Sequence, residues 1–168
     1  MTFREIRKAR RGQALCPEDS NWILDRGSHG VLALLGDEGY PYAVPLSFAR
    51  AGDTLYFHSA VSGHKLDAIA QCDKASFCVV DIDQVAAEEF TTWYKSVIAW
   101  GRVSVIEDDD EKRMALVALA DKYCRAGIGA NYEDMLEAEI AKSWGGCMTF
   151  KLEIEHLSGK VSKELIAN

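Results

Sequence analysis

The most regular stretch of the chain lies near its end, where Met148, Phe150, Leu152 and Ile154 alternate with Thr149, Lys151, Glu153 and Glu155. A period of two puts the first set on a core face and the second in water, so a strand is predicted there. Earlier, His29 to Leu35 is an apolar run that reads as a buried strand, Gly36 to Gly39 is a turn, and Tyr42 to Phe48 alternates. Ala51-Gly52-Asp53 turns again, and Thr54 to Ser59 makes a third strand of an antiparallel meander. Ser76 to Val80 is a further apolar strand, and Tyr94 to Ile106 a long one, with a loop rich in acids and alanines between them.

Between the strands the periodicity becomes helical. Pro17 stands at a first helical position followed by Glu18 and Asp19, and Arg26 precedes Gly27, so a short helix has matched start and stop signals. A second helix runs from about Lys65 to Gln71. Leu116, Leu119, Ala120 and Tyr123 mark a third within Met114 to Tyr123, and Met135, Leu136 and Ile140 a fourth within Tyr132 to Lys142. The dense charges of Glu107 to Arg113 form a solvated entry to the third helix, and Gly127-Ile128-Gly129 is a helix stop. Six strands joined mostly by short turns close more naturally into a small barrel than into an open sheet. The predicted class is α+β, a six-stranded antiparallel barrel with flanking helices in a single domain spanning 1–168.

Composition narrows the partners. A net charge of −7 and a pI near 5.1 give no basic field for nucleic acid or an anionic membrane. The basic opening MTFREIRKARRGQAL lacks the apolar region of a secretory signal, and no stretch approaches the roughly twenty apolar residues that span a bilayer. A cytoplasmic protein is expected. Cys16, Cys72, Cys78, Cys124 and Cys147 form an odd set without a C-x-x-C pair, against a disulfide framework or a structural zinc, so no metal site is expected and the thiols read as small packed hydrophobes.

The common phosphate-loop, zinc-protease, hydrolase and dinucleotide signatures are missing. The informative stretch is LYFHSAVSGHKLDAI, Leu55 to Ile69, where a strand ends at His58-Ser59-Ala60 and a turn with Gly63 leads to His64-Lys65 at a helix start. Free N–H groups, a lysine and a protonatable histidine suit a phosphate monoester, with Gly63 permitting backbone approach and Ser62 able to cap. An ordinary capped helix with solvated His64 and Lys65 fits the same spacing, and His58 reads equally as a ligand or a satisfied barrel histidine. His29 and His156 read as structural.

Three ordered blocks, YPYAVPLSF (Tyr40 to Phe48), LYFHSAVSGHKLDAI and YKSVIAWGRV (Tyr94 to Val103), resemble those of the nitroimidazole-reductase-like group of the FMN-binding split-barrel family, which is related to pyridoxamine 5'-phosphate oxidase. The ending LEIEHLSGK adds a weaker similarity. The resemblance implies a split-barrel homodimer with FMN in a groove between subunits. The backbone of Val44, Pro45 and Leu46 would line the ring edge, His58, Ser59 and Ala60 would hold ribityl and ring polar atoms, and His64 and Lys65 the phosphate. Ser96 and Val97, with Tyr94 nearby, would come from the opposite subunit. A flat ring with a polar edge wants such apolar walls and a few fixed donors. Tyr94 otherwise reads as a strand aromatic, Pro45 as an edge or bulge marker and Ser96 as a solvent-facing residue.

The oxidases themselves end in an R-L-H-D-R-type stretch that serves the substrate, whereas this chain has LSGKVSKELIAN, so vitamin B6 is not the expected substrate. The leading expectation is an FMN-dependent oxidoreductase passing electrons from NAD(P)H or another donor to nitroaromatics or quinones, with the flavin carrying the chemistry and no protein acid or base required. A non-catalytic FMN carrier or sensor, a haem-binding protein with a ligand such as His64, and a deazaflavin in place of FMN are the alternatives.

Overall fold

A computed structural model describes residues 3–166. Pro17 opens the first helix, α1 (Pro17–Arg26), with Glu18 and Asp19 in its first turn, and Cys16 Sγ accepts the Asp19 N–H at 3.4 Å as the cap. Strands β1 (Gly30–Leu35) and β2 (Pro41–Leu46) form one hairpin, and β3 (Ala49–Ala51) and β4 (Thr54–Ala60) a second. Helix α2 (His64–Gln71) follows, then the long hairpin of β5 (Lys74–Ala86) and β6 (Thr91–Val105). Three helices, α3 (Asp109–Tyr123), the single turn α4 (Arg125–Ile128) and α5 (Tyr132–Ser143), intervene before β7 (Cys147–Val161). One antiparallel sheet runs in the order β2-β1-β5-β6-β7-β4-β3.

The architecture is α+β as expected, but the sheet has seven strands rather than six, and among the described residues no ladder joins its end strands β2 and β3. The expected strand over Tyr42 to Phe48 stops at Leu46 because Phe48 turns fully into the core, after which the chain restarts as β3. The acid- and alanine-rich segment expected as a loop is paired instead: Ile82 to Ala86 face Lys95 to Thr91, beyond the last β6–β7 pair at Lys95 and Val161. This ribbon meets water on both faces, so its composition carries no alternating apolar signal; Val85 and Phe90 are largely exposed.

The curved sheet encloses Phe48, Phe57, Phe77 and Phe150, all fully buried. Phe57 and Phe150 stack at 4.9 Å between centroids, and Phe77 meets Phe57 and Phe48 edge-on at 5.1 and 4.8 Å. At a bulge between Trp100 and Gly101 the β6 backbone passes so close to β7 that a Cβ on Gly101 would overlap the Glu153 carbonyl. The apolar run at His29 to Leu35 turns out to alternate, with Leu32 and Leu34 buried but Val31 and Leu35 exposed.

Strand β7 departs from its expected two-faced pattern, for a tertiary reason. Thr149 is completely buried, and Lys151 is withdrawn into an ion pair with Glu111 of α3 at 2.8 Å. Helix α3 lies over the face expected to be wet. It begins in the acidic run, where Asp108 Oδ1 accepts the Glu111 N–H at 2.8 Å. The cysteines differ also from the packed-hydrophobe expectation: none is fully buried, and Cys16 and Cys124 are exposed.

Candidate functional site

The chain leaves β4 at Ala60 and enters α2 through Gly63, whose φ of +131° is a left-handed-side conformation that a side chain would strain. No side chain caps α2, so Ser62 does not play the expected role. The Leu66 and Asp67 N–H groups both fold back on the Gly63 carbonyl, at 2.9 and 3.2 Å. The His64 and Lys65 N–H groups have no acceptor within the helix and stand at the positive end of its dipole. Burial alone pushes the Lys65 ammonium below its ordinary pKa, with no carboxylate offsetting it. A half-withdrawn cation at an uncapped helix start is an anion-binding arrangement.

His64 is differently placed. Its ring stacks on Tyr42 at 4.1 Å between centroids, and Nε2 lies 3.6 Å from Asp37 Oδ2. The expected histidine–lysine pair thus resolves into a lysine with no ion-pair partner among the described residues and a histidine already held by the β1–β2 turn.

His58, Ser59 and Ala60 pair with Thr149, Met148 and Cys147 of β7 at the open end of the sheet. With Ser47 they form one wall of a cavity of about 660 Å³. The opposite wall is apolar: Leu116, Leu119 and Ala120 of α3, and Leu136 and Ile140 of α5. Tyr123 closes one edge. Its hydroxyl accepts the Phe48 N–H at 2.9 Å and lies 2.6 Å from the Ser28 carbonyl, to which it donates, so the end of α3 is tied to the link between β2 and β3. Burial raises the Tyr123 pKa, opposed by its bonds to Phe48 and Ser47.

Within β2, Val44 and Leu46 pack against the core while Pro45 is exposed opposite Val31. β2 has a neighbour on one side only, so its other edge is open beside Ser47 and the cavity mouth. Tyr94, Ser96 and Val97 lie elsewhere. Ser96 pairs with Lys160, twelve residues along β7 from the Met148 that pairs with Ser59. Tyr94 lies under Lys160 at 5.3 Å, and the Val97 side chain is fully buried, leaving only its backbone for any contact. Within one chain Ser47 joins the end of β2 to 58–60 at the cavity and Tyr42 meets His64, while Val44 and Pro45 share rows of the sheet with Ala99 and Ile98 across β1 and β5, and Tyr94 and Ser96 lie far along the sheet from 58–60.

The helical wall of the cavity was not foreseen as part of a site. Its signal was present in Met114 to Ala120, seven apolar residues in succession, more than one stripe on one neighbour uses. Lys122, next to Tyr123, belongs to no motif in the sequence either. Its Nζ is buried without a hydrogen-bond partner, 3.8 Å above the Phe48 ring, and burial pushes its pKa down to about 8 despite the nearby Asp25.

Comparison with known proteins agrees with this architecture. A FAD- and haem-binding protein from Mycobacterium smegmatis superposes with a TM-score of 0.71 at 29% identity, over 90% of this chain and 73% of that one. A flavocytochrome from Azotobacter vinelandii gives 0.71 at 21%, over 95% and 73%, and a candidate 5-nitroimidazole antibiotic resistance protein from Bacteroides thetaiotaomicron 0.71 at 21%, over 88% and 86%. No curated protein sequence matches the chain. The family model for pyridoxamine 5'-phosphate oxidase, however, matches residues 17–161. By that match, which takes in every strand of the sheet and every helix packed on it, the chain belongs to the pyridoxamine 5'-phosphate oxidase family.

Proposed function

We propose that this chain is a flavoprotein that holds FMN in a homodimer and reduces small acceptors such as nitroaromatics or quinones. The observation that carries the reading is Lys65: a half-withdrawn ammonium with no ion-pair partner among the described residues, beside the uncapped first turn of α2 and the side-chain-free Gly63. That is the local chemistry a terminal phosphate requires. The ribityl chain and ring would then run along His58-Ser59-Ala60 toward the open edge of β2 at Val44-Pro45-Leu46. His64 would reach the phosphate only by leaving Asp37 and Tyr42, so Lys65 takes the main part. A second copy would bring Tyr94, Ser96 and the Val97 backbone, which is consistent with their distance from the site within one chain. A bound flavin would supply one- and two-electron transfer, and the residues here would bind it, orient its ring and keep water from one face.

Relatives described as FAD- and haem-binding favour a second reading, in which the cavity beside His58 takes a haem. An exposed imidazole on the wall of an apolar cavity is suited to ligate iron. A visible spectrum of the purified protein separates the two, since a Soret band belongs to haem alone.

The direct test is Lys65→Ala. A charge-assisted hydrogen bond contributes roughly 1.5–3 kcal/mol, so FMN binding should weaken about ten- to a hundredfold. Riboflavin, which lacks the phosphate, should bind the variant as it binds the parent. Equal losses for both would make Lys65 a structural residue and remove the phosphate site.

A further inference from the structure

The cavity next to the proposed flavin strand has walls that define one class of occupant. We propose that the space between the end of β4 and helices α3 and α5 is the acceptor site, and that it selects uncharged planar aromatic molecules over anionic ones. The inference rests on the flavin reading for its role and on the walls for its selectivity.

The geometry points both ways across the cavity. One wall is His58, Ser59 and Ala60, the strand along which the flavin would lie; the other is aliphatic, with Leu116 and Ala120 one helical turn apart on α3 facing Leu136 and Ile140 on α5. A molecule between them would therefore meet the flavin on one side and hydrocarbon on the other. The volume of about 660 Å³ falls within the range of small-molecule sites and exceeds what a single aromatic ring needs.

Charge decides the class. Among the described residues no lysine or arginine lines the cavity. Its one carboxylate, Glu139, is paired at 3.1 Å with Lys142, which does not reach the cavity lining. An anion entering would shed water without gaining a cation, a penalty that an uncharged ring with a polar substituent avoids. Polar groups for such a substituent are present in Ser47, His58, Ser59 and Ser143. The same argument excludes phosphorylated substrates from this cavity, in keeping with the closing segment LSGKVSKELIAN.

The test uses two probes of the same shape, 4-nitrobenzamide and 4-nitrobenzoate, titrated calorimetrically into the purified protein. The amide should bind at least about tenfold more tightly than the acid. Glu139→Lys, which places a cation at the rim, should raise the affinity for the acid about tenfold and leave that for the amide unchanged. Ala120→Trp, which projects an indole from α3 between the two walls, should weaken amide binding at least about tenfold with the flavin content per chain unaltered, and Leu116→Trp should do the same from the neighbouring turn should the first variant fail to fold. Cys124 lines the cavity and is exposed, so bound amide should also slow its alkylation by iodoacetamide. Equal or tighter binding of the acid would overturn the proposal, as would amide binding that survives both filled variants. Loss of flavin together with the amide in the filled variants would show that the cavity seats the cofactor itself. A protein that neither contains nor takes up flavin would defeat the flavin reading alone, since the preference for amide over acid is measured without it.

Discussion

Lys122 is the group most out of place in this fold, and replacing it by methionine should stabilise the protein. The ammonium lies over the Phe48 ring with no hydrogen-bond partner, and its pKa falls from 10.5 to about 8. A lysine depressed in this way binds fewer protons folded than unfolded between pH 8 and 10.5, so its unfavourable contribution is complete below pH 8 and fades as the pH rises through that window. The drop corresponds to roughly 3 kcal/mol before screening; because the side chain is only half-buried, screening reduces it to about 1–2 kcal/mol. Loss of the cation–π contact returns about 0.5 kcal/mol, so Lys122→Met should gain about 1 kcal/mol at pH 7, or roughly 2–4 °C in Tm. Urea unfolding of both proteins at pH 7 and pH 9.5 tests the sign and the origin together. The gap should narrow by more than half at the higher pH. Tyr56, Tyr132 and Cys78, whose pKa values are raised mainly by burial, titrate in both proteins and cancel from the difference. A less stable variant, or a gap that ignores pH, would refute the argument.

Two further outcomes follow from the same structure. Tyr123→Phe removes the acceptor of the buried Phe48 N–H and should cost about 1–3 kcal/mol in chemical denaturation, with the helical wall of the cavity loosened so that iodoacetamide reaches Cys124 faster. If Tyr94 and Ser96 serve the site of a second copy, light scattering should give twice the mass of the chain, and a monomer that still binds FMN tightly would eliminate the shared site.

The elements most legible from residues alone are those whose two faces meet different surroundings. β1 alternates, with Leu32 and Leu34 turned to the phenylalanine core and Val31 and Leu35 to water, and Phe150 and Leu152 of β7 meet the same core as their spacing predicts. The outer half of the β5–β6 hairpin meets water on both sides, which leaves its acids and alanines looking like a loop. The covering of Thr149 by α3 could not be read locally, because nothing near Thr149 announces a helix that begins forty residues earlier. The site divides along the same line. Lys65 and Gly63 were visible as a helix start, a matter of neighbouring residues, whereas the engagement of His64 by Asp37 and Tyr42 depends on a turn from another hairpin. The cavity joins three segments far apart in the chain, so its existence is a property of the packing, while its apolar wall left the run Met114 to Ala120 as a trace.

Helices α3, α4 and α5 occupy the connection between β6 and β7, two strands that are direct neighbours in the sheet. A tight turn would satisfy that pairing, and closing a longer connection adds entropy only logarithmically. The helical wall is thus an excursion from a sheet whose strand pairing does not depend on it, so its residues can diverge while the strands stay the same. If the cavity is the acceptor site proposed above, sequence change in this one connection would alter the acceptor and leave the strands as they are.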